Sequence, residues 1–509
     1  MHTQTESQCT ETHSQGVAST LDPLTENENA PIADRSSLGQ TLLELLHIQN
    51  ISATRWSVFR ALDHETGLSA VELYDSMAVA LPCALRPDIG LETLLNGRPF
   101  FLLAVIVTAT SSQPGLQTEA EEVFRHALAG KAIIEGQRSM EILQGLLTYL
   151  LWYQHCFNQQ TQQYYQYLSL ALGMMADLGL HKFEVNIGQG TSQACHINQA
   201  RTLLLCYYLS CGASVLAFDR PESMQCIGSV RKAATILSDV KERAVDQASP
   251  ALVEILYIAA QVHGSFHTEN CTHGSVPAGE VPVLLERWKV RYFHGCNCQC
   301  LVSTYHFVAG YLQMKMMRHN RLDRDSVLHG ITACVSSFRS LLDNILDQPA
   351  RYLHDMSIVE WAQLFIVIII MPRVERRAGI LHAQMTLTYI ERLARRVNEL
   401  RSLENDRYNA KISFFWLEKV LTDTRDRARS TEMADGRVPV DESSGYELVQ
   451  AVAERATVAD TPQEKCTEQS HDLKNATERG QQSRAQQLDQ STTEETFWAE
   501  IMSNWLNWN

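Results

Sequence analysis

Two apolar stripes between Gly136 and Leu180 constrain the fold of this chain more than any other feature. Ile142, Leu143, Leu146, Leu147 and Leu150 recur at helical spacing and make the first stripe. A polar Asn158–Gln163 stretch turns the chain, and Tyr164, Tyr167, Leu168, Ala171, Met174, Met175 and Leu178 make the second. Gly179 suits the left-handed position that closes a helix, and Leu180 can fold back onto the last turn. Physics alone reads a helical hairpin here, with Leu143, Leu146, Leu147, Leu150, Leu168 and Leu172 buried against an opposing apolar surface.

The helical pattern continues from Ser37 to about Val420, with breaks at Pro82–Pro87, Gln113–Gly115, Asn186–Cys195 and Thr272–Pro282. No run of alternating short strands and no fixed-period repeat interrupts it, so the expected fold is all-α. Four segments follow from composition. Residues 1–36 are polar and expected to be disordered, and 37–420 form one large helical domain. Residues 421–490 read as a polar linker, and 491–509 as a short amphipathic helix. The apolar runs Phe100–Ala109 and Leu364–Met371 fall well short of the roughly 20 residues a membrane helix needs. They are expected as buried core helices, with no membrane partner. Thirteen cysteines without regular spacing, and no secretory leader, point to a reducing intracellular compartment.

The wording of the first region carries a resemblance. Arg138, Ser139, Glu141, Leu143, Gln144 and Gly145, then Tyr149, Trp152, Tyr153 and Phe157, then Met175 to Leu180, form three phrases. These resemble the regulatory (middle homology) region of fungal transcription factors that carry a binuclear zinc cluster. Arg201, Thr202, Leu203, Cys206, Tyr207, Tyr208, Leu209 and Ser210 look like that family's next helix, ending near Arg220 and Pro221. The clear similarity covers residues 98–225 and weakens toward 420. The subgroup it is most similar to includes activators of secreted-protease genes and regulators of metabolite clusters. The resemblance implies a nuclear transcriptional regulator, not an enzyme, that modulates a metabolic or secondary-metabolite gene cluster. The reading from another class is a helical ligand- or protein-binding module with no transcriptional role.

One departure is large. A binuclear cluster needs six thiolates, and the first eighty residues hold only Cys9. The net charge of −15 also opposes attraction to phosphate backbones. DNA contact is therefore expected only indirectly, through a zinc-cluster partner, or through an upstream segment. A homodimer is a further possible assembly.

The ending supplies a candidate partner site. Trp498, Ile501, Met502, Trp505 and Leu506 fall at i, i+3, i+4, i+7 and i+8 and share one helix face. Ser491 and Glu494 have capping-box spacing. Tryptophans bury about 150–250 Å² each, so such a face needs a binding site. It is read either as an acidic–aromatic activation segment entering a coactivator groove or as a lid on its own domain.

Two other constellations carry bland readings beside sharp ones. His263, His267, Cys271 and His273, with His294, Cys296, Cys298 and Cys300, hold zinc-competent side chains. Yet CxCxC is not a CxxC knuckle, so half-buried cysteines and loop histidines are expected and no metal is assigned. Arg392, Arg395, Arg396 and Arg401, beside Arg373, Arg376 and Arg377, read as a solvated face paired with Glu391 and Glu399, or as an import signal. Gly188-Gln189-Gly190 is a turn. No phosphate loop, nucleophile elbow or HExxH is present, so no catalytic residue and no cofactor are expected.

Overall fold

The computed structural model describes residues 37–426, apart from 49–51, 53, 88–89, 157–162, 185–192, 218–223, 225, 267–275, 296, 320–323, 378–383, 404–416, 419 and 423. The described residues are all-α, with no strand among them. The first helices are α1 (Leu38–Leu45), α2 (Ser57–Arg60), α3 (His64–Ala78), α4 (Leu91–Gly97), α5 (Pro99–Ala109) and α6 (Pro114–Leu128). Then come α7 (Met140–Leu151), α8 (Tyr164–Asp177), α9 (Gln193–Cys211), α10 (Ile227–Val240), α11 (Ser249–Phe266) and α12 (Val281–Tyr292). The last are α13 (Gln299–His319), α14 (Arg324–Leu346), α15 (Tyr352–Asp355), α16 (Ile358–Arg377) and α17 (Gln384–Leu403). Among the described residues, no helix is long and apolar enough to cross a membrane.

Local sequence explains where many of these begin and end. Asp63 caps α3 by accepting from the Thr66 amide at 2.7 Å, and Ser139 caps α7 by accepting from Ile142 at 3.1 Å. Pro99 and Pro114 open α5 and α6, where a missing N–H is no loss. Gly179 takes φ +76° after α8, and Leu180 is buried just beyond it.

Two helices carry long stretches that run through the interior. Phe100 to Ala109 of α5 are all buried, as are Leu364 to Met371 of α16, matching the reading of both runs as core. Helices α13 and α14 pack along each other, and both contact α16. The two stripes also behave largely as read: Leu143, Leu146, Leu147, Leu150 and Leu168 are buried, whereas Leu172 is half-buried. The surroundings differ from a simple hairpin, however. Every residue from Ile142 to Leu151 is buried, and α7 packs more extensively on α5 than on α8. The Asn158–Gln162 turn lies outside the described residues.

Candidate functional site

The polar residues of the Arg138–Gly145 phrase are structural ties. Glu141 Oε1 accepts from the Phe100 amide at 2.7 Å, satisfying a donor at the start of α5. Gln144, buried, accepts from Arg98 and donates to Asn198 Oδ1 at 2.8 Å and Thr202 Oγ1 at 2.7 Å. Arg138 and Asp177 pair at 3.3 Å, joining the start of α7 to the end of α8. Gly145 lets α5 approach, since a Cβ there would lie 2.6 Å from the Phe100 ring. The buried bonds lock α5, α7 and α9 together, and the exposed Arg138–Asp177 pair reaches α8. This node lines neither of the two clefts described below.

From the same helix α9, Arg201 reaches the other way. Its guanidinium donates to Asp246 at 2.6 and 3.1 Å, to Glu242 at 2.9 Å and to the Pro82 carbonyl at 3.1 Å. Both Arg201 and Asp246 are buried, so each charge depends on the other. Asp246 lies in a tight helical turn, Ala244–Ala248, that starts at Arg243. Arg243 donates to the Ala84 carbonyl at 2.7 Å. Together these contacts pin the 82–84 loop and the 242–248 turn against α9.

That pinned surface is one wall of a cleft of about 870 Å³. The end of α3, the 243–248 turn, the α12–α13 junction and Tyr352, Asp355 and Glu360 line it. Its charged groups are mixed: Arg86, Arg243 and Arg291 face Glu242, Asp355 and Glu360. Arg86 is held in place by a forked pair with Asp75. Glu360 is buried and accepts from Tyr352 Oη at 2.8 Å, the Ser357 amide at 2.9 Å and Ser357 Oγ at 2.8 Å. Burial pushes its carboxyl above the ordinary value, against the pull of those hydrogen bonds. Tyr208 of α9 completes the chain through Ser357 at 2.7 Å. A second, smaller cleft of about 380 Å³ lies between α3 and the α5–α6 turn, with Arg351 on its edge. The larger cleft thus carries charged groups of both signs, of which Arg243, Glu242 and Glu360 are tied to the wall by the bonds above.

One buried arrangement has the order of a catalytic triad. Ser111 Oγ lies 3.3 Å from His354 Nε2, and His354 Nδ1 lies 3.1 Å from Asp355 Oδ1. Ser111 and His354 are buried and line neither cleft, and the His354 ring packs on His155 at 4.6 Å. His155 in turn bonds the His354 carbonyl at 3.1 Å, and Gln154 donates to Met356 at 2.7 Å. These bonds fasten the end of α7 to α15, which is a structural task.

The residues singled out from sequence fare differently. Trp498, Ile501, Met502, Trp505 and Leu506 lie outside the described residues, as do His267, Cys271, His273 and Cys296. His263 is buried within α11, and His294 is exposed. Among the described residues no three His, Cys, Asp or Glu side chains converge to hold a metal. Cys298 and Cys300 instead contact each other, Sγ to Sγ, at 3.2 Å in the larger cleft. Of the basic set, Arg392 pairs with Asp343 at 3.0 Å across to α14, and Arg396 with Glu399 at 2.9 Å. Sequence reasoning missed Arg86, Arg243, Tyr352 and Glu360. They come from distant segments, and no spacing links them.

No family model matches the chain. No solved structure matches it. The chain is similar to a protein named transcription factor himD from Aspergillus japonicus, 22% identical over 392 residues, covering 68% of this chain and 64% of that protein. The match thus spans less than two thirds of the relative's own length.

Proposed function

We propose that this chain is a transcriptional regulator of fungal genes, acting in the nucleus on a metabolic or secondary-metabolite cluster. The observation that carries this reading is the similarity to a fungal transcription factor over 392 residues. The phrases at Arg138–Gly145 and Met175–Leu180 point the same way. The helical body would contact a zinc-cluster transcription factor, which supplies the DNA contact, and a homodimer is compatible with the same role. Segment 491–509 would carry the output, its face of Trp498, Ile501, Met502, Trp505 and Leu506 entering a coactivator groove.

Fused to a neutral DNA-binding module in a fungal reporter strain, the full chain should activate transcription. Trp505→Ala removes an aromatic anchor of the kind worth more than about 2 kcal/mol at a hot spot, a loss of roughly thirtyfold in partner affinity. Its reporter signal should collapse while protein level holds. A silent intact chain, or an isolated chain that footprints a specific DNA sequence at physiological salt, would overturn the proposal. The second reading, a helical ligand-binding module without a transcriptional role, draws on the cleft of about 870 Å³. It gains if the reporter stays silent and small molecules raise the melting temperature.

A further inference from the structure

The cleft holds a pair of sulfur atoms for which the proposed function has no use. Cys298 and Cys300 both line it, one on each side of Gln299, with their Sγ atoms 3.2 Å apart. A disulfide bond is about 2.05 Å long, so these are two thiols in contact that need close by only about 1 Å to join. Both are themselves nearly buried, Cys298 7% and Cys300 5% exposed, so the cleft is their route to a reagent. Cys83, Cys206 and Cys334, by contrast, are fully buried, and burial pushes each thiol up.

The two cleft sulfurs are unequal. The Cys298 carbonyl accepts from the amides of Leu301 at 3.1 Å and Val302 at 3.3 Å, so Cys298 stands at the entry to the 21-residue helix α13. The Cys300 thiol lies within hydrogen-bonding distance of Cys298, and backbone N–H groups of Cys300 and Leu301 add to that pull. Hydrogen bonding with Cys300, helped by those amides, draws Cys298 below its ordinary value against burial and the nearby Glu360 carboxyl. The same bond, with burial, holds Cys300 well above its own. The place of Cys298 at the start of α13 favours it as the anionic sulfur of the pair. The surrounding charges define what the attacking sulfur meets. The lining carries both signs, Arg86, Arg243 and Arg291 with Glu242, Asp355 and Glu360. Although Arg86, Glu242 and Asp355 already pair with Asp75, Arg201 and Arg351, such a lining admits a small zwitterionic molecule.

We propose that Cys298 and Cys300 are a thiol–disulfide exchange site for a small zwitterionic disulfide, with Cys298 the attacking and Cys300 the resolving residue. The Cys298 thiolate attacks one sulfur of the reagent R–S–S–R. Its S–S bond breaks, RS⁻ leaves, and a mixed disulfide forms on Cys298. Cys300 gives its proton to the departing RS⁻ and attacks Cys298 Sγ. The Cys298–Cys300 bond forms, and the second RS⁻ leaves and takes up the proton that Cys298 had released. Two protein thiols are oxidised by two electrons, and one disulfide is reduced to two thiols. The new bond lies across the first turn of α13, so it reshapes the cleft floor.

The test uses the full chain, reduced, freed of reductant and exposed to oxidised glutathione, then read by peptide mass spectrometry. The wild type should yield a Cys298–Cys300 disulfide. Cys300→Ser should instead accumulate a glutathione adduct on Cys298, and Cys298→Ser should leave Cys300 unmodified. Alkylation of the wild type by iodoacetamide gives a readout that needs no variant to fold, with Cys298 reacting about tenfold faster than Cys300. Cys195 is exposed and serves as the internal reference for an ordinary thiol. A wild type in which Cys195 is modified while Cys298 stays reduced would overturn the proposal. So would attack at Cys300 in Cys298→Ser at the wild-type rate.

Discussion

Helix α9 serves two polar regions of opposite character. On one side Thr202 joins the node around Gln144, where hydrogen bonds fill the space between α5, α7 and α9. On the other, Arg201 and Tyr208 back the cleft, where equally well-bonded groups face about 870 Å³ of open volume. Similar residues therefore do different work. In the node, polarity fixes register between helices and leaves no room for a ligand. Behind the cleft, it holds a surface in shape for something else to bind.

The largest effect should come from the pair that holds this surface. Asp246→Ala leaves the buried Arg201 charge with only Glu242, itself 44% exposed, and should cost about 3–5 kcal/mol in urea denaturation. The double variant Arg201→Met, Asp246→Leu should be the milder, since a buried pair replaced by apolar groups loses little. If Asp246→Ala costs less than about 1 kcal/mol, the cleft wall does not depend on the pair, and the contrast with the node fails.

Gly145→Ala tests the node by packing. Helix propensity alone would favour alanine by about 1 kcal/mol. The added Cβ would sit 2.6 Å from the Phe100 ring and 3.3 Å from its carbonyl oxygen, so overpacking of about 1–3 kcal/mol should win. Shortening the ring in Gly145→Ala, Phe100→Leu should recover part of the loss. A Gly145→Ala variant that melts above the wild type would show the node to be looser than its contacts imply.

The two regions also differ in how far sequence discloses them. The apolar periodicity identifies α5, α7, α8 and α16 as core elements, and Gly179 as a helix end. It reads only the apolar stripe of α7, because period alone cannot tell a polar residue in water from one paired in the interior. Gln144 and Thr148 are buried with partners on α9 and α3, so the polar side of α7 also faces protein. The cleft is harder still. Arg86, Arg243, Cys298 and Glu360 lie far apart along the chain, and only the packing of the segments around α3, α12, α13 and α16 gathers them. The CxCxC run drew attention as possible zinc chemistry, and the structure places two of its sulfurs against each other.

Acid should weaken the α7–α15 fastening. Burial, with His354 beside it, holds His155 well below the ordinary histidine value, so it is neutral when folded. His306 shares this tendency, held to about 4 by burial and by Lys289. As pH falls through about 6.5 the unfolded chain takes up protons that the folded chain refuses. Stability is fully present above that pH and is lost below it, by up to about 1.4 kcal/mol per unit for one such group. Urea midpoints between pH 7.5 and 5.5 should fall in the wild type and fall less steeply in His155→Gln. Equal slopes would remove His155 from the account.

The smallest effect should come from Glu360→Gln, which separates a cleft wall from a node residue. The raised carboxyl means that ionisation is less favourable in the folded chain than in the unfolded one. Glu360 therefore favours folding below its ordinary value of about 4.5 and loses that contribution as pH rises through the unfolded and then the folded titration. Glutamine keeps the shape, stays neutral throughout, and can accept from Ser357 while donating to the Tyr352 oxygen. The net change at neutral pH should be within about 1 kcal/mol, because hydrogen bonds are exchanged and not lost. Thermal denaturation at pH 5 and pH 8 should show the variant losing less than the wild type on going to the higher pH, beyond any common drift. A loss above about 3 kcal/mol would mean that the Glu360 charge is itself a structural tie. The cleft wall would then be scaffold of the same kind as the Gln144 node.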